Sequence, residues 1–78
     1  MRIINVIETN TDNIIVGIDS FGVFEEQLSQ EVIEQAEDNF KAKAIENGAK
    51  GEDINDHIEN GYYIRQDGYA VSLVWSNV

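Results

Sequence analysis

Seventy-eight residues carrying a net charge of −10 and 42 % hydrophobic side chains are expected to make one domain, residues 1–78, built around one core. That apolar share argues against the disorder which the charge alone would suggest. With no cysteine there is no disulfide framework, no thiolate metal site and no cysteine nucleophile.

Fifteen carboxylates face five basic side chains, so nucleic-acid phosphates and anionic lipid surfaces should repel the chain. Neither direct nucleic-acid binding nor membrane binding is expected. No stretch approaches the roughly 20 apolar residues that span a bilayer. Asn5 and Glu8 interrupt the apolar start before a signal-peptide core is complete. The expected setting is cytoplasmic.

Ile3, Ile4, Val6 and Ile7 form a β-prone run, and Ile14, Ile15, Val16 and Ile18 form a second beyond the polar stretch 8–13. The pair reads as a hairpin with a medium-length loop. Both runs are nearly continuous, so the strands are either covered on two faces or lend one face to an interface.

Asp19, Ser20, Phe21 and Gly22 are turn formers. Residues 23–28 then read as a third, edge strand, or as the first turn of the following helix; Ser29 as an N-cap favours the strand. From 30 to 47 the spacing of Val32, Ile33, Ala36, Phe40 and Ala44 predicts one apolar helical stripe, stopped by Gly48. The opposite face carries Glu34, Glu37, Asp38 and Lys41, with Glu31 at its margin. Glu34 and Asp38 repel at i,i+4, while Glu37 and Lys41 attract.

Residues 52–60 predict a short helix with Ile54 and Ile58 on one side and Gly61 past its end. Segments 62–66 and 69–76 flank Asp67-Gly68, a strong hairpin signal. A two-residue loop would set Ile64 opposite Val71 and Tyr62 opposite Leu73. The core face would then hold Tyr62, Ile64, Val71, Leu73 and Trp75, leaving Tyr63 and Arg65 outward. The expected fold class is α+β: a small antiparallel sheet of four to five strands, one long helix packed on one face, and a short second helix.

No residues carry a recognisable catalytic, cofactor or metal site. Asp53 and His57 lie one helical turn apart, with Asp56 beside them, but two ligands from one turn do not make a metal site. A calcium loop begun at Asp53 would put Ile58 where the sharp turn needs glycine and Ile64 where the bidentate glutamate belongs. The serines sit in turn, cap or strand contexts, and no glycine-rich loop precedes a Lys-Ser or Lys-Thr pair. A non-enzymatic chain is expected.

Two features point toward a protein partner with a basic surface. Glu31, Glu34, Glu37 and Asp38 spread four charges over about 10 Å of helix, a linear density comparable to that of DNA. Tyr63 beside Arg65, both outward in the expected register, would make an anchor of the kind binding patches favour. In size, acidity and lack of catalytic signals the chain resembles, as a class and with no motif to carry residues over, the small inhibitors that phages and mobile elements direct against host nucleic-acid enzymes. Anti-CRISPR proteins and the inhibitor of uracil-DNA glycosylase belong to that class. The alternatives are an assembly subunit that homo-oligomerises through a strand edge or the second face of its sheet, and a small metal- or ligand-binding domain using Asp53, Asp56 and His57. The sequence leaves the oligomeric state open.

Overall fold

The computed structural model describes residues 2–23 and 30–77, which form an α+β fold with four antiparallel strands, one long helix and one short helix. The strands are β1 (Arg2–Thr9), β2 (Ile15–Val23), β3 (Tyr62–Ile64) and β4 (Ala70–Asn77). The helices are α1 (Gln30–Glu46) and α2 (Ile54–Asn60), the latter preceded by a 3-10 turn at Gly51–Asp53. The sheet order is β2-β1-β4-β3, so the two central strands come from opposite ends of the described chain. No helix among the described residues is long and apolar enough to cross a membrane.

The two hairpins share one loop design. Asn10 donates its N–H to the Ile14 carbonyl at 2.9 Å and accepts from Asn13 N–H at 3.0 Å, with Asn13 at φ 63°. Arg65 donates to the Tyr69 carbonyl at 2.8 Å and accepts from Gly68 N–H at 3.1 Å, with Gly68 at φ 97°. Both are three-residue loops closed by a left-handed residue. Asn10 Oδ1 also accepts the N–H groups of Asp12 and Ile14, which fixes the first loop.

That loop length corrects the expected register of the second hairpin. One more loop residue than the two-residue turn pairs Tyr63 with Val71 and Ile64 with Ala70, and a slip of one residue turns every side chain on the shifted strand to the other face. Tyr63 therefore packs against the core, while Tyr62 and Ile64 are 50 % and 60 % exposed. Val71 and Leu73 are buried as expected, but Trp75 is 55 % exposed.

The expected turn at residues 19–22 is also corrected, because β2 runs through it to Val23. Pairing with β1 overrides local turn preference there: Ser20 Oγ donates to Asn5 Oδ1 at 2.6 Å, and Asp19 meets Lys43 Nζ at 3.0 Å. Of the third strand proposed for residues 23–28, only residue 23 is described, as the last of β2; the rest lies outside the described residues.

The helix stripe is as the spacing predicts. Ala36, Phe40 and Ala44 are fully buried against Ile4, Val6, Val71 and Leu73, with Ile33 packed at the edge. α1 ends where Ala49 N–H reaches back to the Ala44 carbonyl and Gly48 N–H to the Ile45 carbonyl, with Gly48 at φ 108°. That is the left-handed helix stop glycine makes possible, and it drops Ala49 into the core.

All of this packing is on one side of the sheet. Paired residues share a face, so the register puts Ile4, Val6, Asp19, Phe21, Tyr63, Val71 and Leu73 under the helices. Ile3, Ile7, Ile18, Val74, Tyr62 and Ile64 lie on the other face, over which no described element packs.

Candidate functional site

Charge is divided between the layers. α1 carries five carboxylates and the 3-10 turn with α2 carries four, against Lys41, Lys43 and Lys50. The uncovered sheet face carries no charged side chain among the described residues; between its apolar positions lie Asn5, Ser20, Ser72 and Ser76. One side of the molecule is thus an acidic helical layer and the other a neutral sheet.

The predicted acidic ridge lies on the outside of α1. Glu31, Glu34 and Asp38 are exposed and Glu37 is half-buried. Glu34 and Asp38 sit one turn apart and repel, with Lys41 three residues beyond Asp38.

Tyr63 and Arg65 are not the outward pair of the expected register. Tyr63 points toward the helices: its hydroxyl donates to the Asn47 carbonyl at 3.3 Å, and its ring meets His57 edge-on with centroids 5.1 Å apart. Arg65 is half-buried at the hairpin end, bonded through two guanidinium nitrogens to Asp67, and its guanidinium carbon lies 5.2 Å from the centre of the Tyr69 ring. Arg65 holds the Asp67 carboxyl below the usual carboxylate range, helped by the Tyr69 N–H. Tyr63, Arg65, Lys50 and Gly48 do line a common shallow hollow of about 730 Å³ beside the end of α1. The structure therefore gathers this pair at one place, as a wall and a rim.

A polar chain next to it escaped sequence reasoning. Tyr69 donates its hydroxyl hydrogen to Glu8 Oε2 at 2.5 Å and accepts from Asn47 Nδ2 at 2.8 Å, while Asn47 Nδ2 also reaches the Lys43 carbonyl at 2.8 Å. Burial pushes the Tyr69 phenol well above its ordinary value, and the Glu8 carboxylate adds to the shift. The chain ties the end of β1 to the end of α1 through Tyr69, whose link to Glu8 spans 61 residues of sequence, a separation that leaves no local spacing to read. With both partners satisfied, the phenol links the two elements.

His57 spends one face on Tyr63, and no group of three or more His, Asp or Glu among the described residues is arranged to hold a metal ion. The uncovered face was partly visible in the sequence, since the continuous apolar runs of β1 and β2 leave aliphatic side chains on both sides of the strands. The wrong register in the second hairpin hid the contribution of Tyr62 and Ile64, while Val74 lies away from the core as that register expected.

No family model matches the chain, and neither the curated proteins nor the solved structures contain a match.

Proposed function

We propose that this chain is a non-enzymatic protein-binding module that blocks or modulates a basic, nucleic-acid-handling partner by electrostatic complementarity. This is the mode of the small phage and mobile-element inhibitors, anti-CRISPR proteins among them, that stand in for nucleic acid. The observation that supports it is the division of charge by layer, nine carboxylates on the helices against none on the open sheet face among the described residues. A surface that imitates a polyanion needs its charge gathered on one layer, as it is here.

Glu31, Glu34, Glu37 and Asp38 steer the encounter, which is fast and weakened by salt beyond a Debye length of about 8 Å at physiological ionic strength. Arg65, at the rim of the hollow, gives a fixed contact at the end of the acidic layer. Tyr63 shapes the wall behind it and does not itself reach a partner.

Displacement from DNA tests the reading. Host proteins bound to DNA-cellulose at about 0.15 M salt are washed with the purified chain, and a discrete subset is expected to elute. The doubly reversed variant Glu34→Lys/Asp38→Lys is expected to elute little of it. Elution of nothing by the parent, or equal elution by both, removes the proposal.

A further inference from the structure

The bare side of the sheet is unlike the rest of the surface. In a chain of which 26 % is charged, Ile3, Ile7, Ile18, Val74, Tyr62 and Ile64 share a face with no charge among the described residues, and Ile18, Tyr62, Ile64 and Val74 are 40 to 60 % exposed. A sheet apolar on both sides needs cover on both. We propose that a second copy of the chain supplies it, the two sheets packing face to face about a two-fold axis lying between them.

Charge selects the occupant. Each copy carries −10, so any approach that confronts helical layers is repulsive, whereas this face lets two copies meet without opposed carboxylates among the described residues. A basic partner finds its complement on the helices and gains nothing here. A neutral apolar surface of matching twist is what the copy itself brings, and a two-fold axis makes one patch serve both sides.

The area suits a weak, reversible dimer. Three strands of eight, nine and eight residues and one of three at about 4.8 Å spacing and 3.3 Å rise cover roughly 440 Å² per copy as a flat footprint. The pair therefore buries about 900 Å² before side-chain relief is counted, just short of the ~1,000 Å² a stable interface clears and in the range of a weak, transient one. Ser20, Ser72 and Ser76 leave gaps between the aliphatic residues into which the partner's side chains fit.

The competing route, pairing along the free edge of β2, is guarded. Asp19 puts a charge in the middle of that strand, bound to Lys43, and the register breaks between Glu8 and Thr9 near its start. Both devices discourage edge-to-edge addition.

This dimer goes beyond the proposed function and stands apart from it, because both acidic layers remain outward. Sedimentation of the purified chain between about 1 and 100 µM is expected to show a reversible dimer of twice 8.8 kDa, with a dissociation constant on the order of 10 µM for so small an interface. Salt should tighten it by screening the mutual charge, opposite to its effect on a basic partner. Val74→Asp and Ile18→Asp should each weaken it at least about 100-fold by burying a carboxylate, with the folded circular dichroism spectrum retained. Glu34→Gln should leave it intact. As a readout free of mutation, amide shifts that move on dilution should map to the strands and spare α1. A chain monomeric at about 100 µM, a dimer that survives both aspartates, shifts confined to α1, or assembly beyond two copies overturns the proposal.

Discussion

Replacing Phe40 by alanine tests how the helical layer is held. Phe40 is fully buried, and of the three fully buried side chains that α1 supplies the other two are alanines, Ala36 and Ala44. Removing a fully buried phenylalanine costs about 3–5 kcal/mol, transfer and residual cavity together. A chain of 78 residues has a total stability of roughly 4–12 kcal/mol, so the variant should sit near its unfolding threshold. With a urea slope of about 1 kcal/mol/M for so small a protein, the midpoint falls by about 3 M or more. Trp75→Ala is the control, because the tryptophan is larger yet 55 % exposed and should cost under about 2 kcal/mol. Urea titration followed by far-ultraviolet circular dichroism reads both. A loss below about 1.5 kcal/mol for Phe40→Ala, or an equal loss for Trp75→Ala, would refute the idea that one aromatic side chain clamps α1 to the sheet.

Other substitutions follow from single positions. Gly68→Ala places a methyl 3.3 Å from the Thr11 carbonyl oxygen at φ 97° and should cost about 1–2 kcal/mol. Gly51→Ala meets nothing within 4 Å and should be neutral or stabilising by up to about 1 kcal/mol; thermal melts separate the two. Asp38→Lys turns the repulsion with Glu34 into an attraction one turn away, and should raise stability by roughly 0.5 kcal/mol at low salt and less at high salt. Lys43 holds the Asp19 carboxyl below its ordinary 3.8, so this pair stabilises the fold above that pH and its contribution fades as pH falls through the lowered value. Asp19→Asn should flatten the acid limb of a stability-against-pH curve, and an unaltered limb would count against the pair. The Tyr69 phenol is raised instead, so its contribution is complete below about pH 10 and is lost as pH climbs through the higher folded value. Ultraviolet titration should show a phenol that ionises above the ordinary tyrosine range, and Tyr69→Phe should remove that step.

The long helix was legible because its period is internal: Ala36, Phe40 and Ala44 repeat every four residues and need no knowledge of the sheet. The second hairpin was legible in place but not in phase. Asp67-Gly68 marks a turn whether the loop holds two residues or three, and what selects three, the Arg65–Asp67 pair and the Asp67 carboxylate accepting from Tyr69 N–H, is side-chain chemistry no turn table contains. One residue of phase decided whether Tyr62 or Tyr63 faced the helices, and with it the anchor proposed beside Arg65. The middle of β2 misled for the opposite reason. Asp19, Ser20 and Gly22 prefer turns when alone, but Lys43 and Asn5, distant in sequence, give the first two partners within an extended strand. The acidic ridge needed only helix geometry, so its exposure on α1 could be read directly.

The strand order has a consequence for how the chain comes to exist. Arg2 pairs with Asn77 and Thr9 with Ala70, so the middle of the sheet is a ladder between the first and last of the described strands. Until β4 has left the ribosome, β1 can pair on one side only and α1 has half a platform to lie on. The loop to be closed is nearly the whole described length, which makes the final step slow beside the local hairpins and helix. A nascent or truncated chain lacking its last eight described residues would therefore be an aggregation-prone hairpin beside a loose helix, and the sheet should close only once β4 has been made.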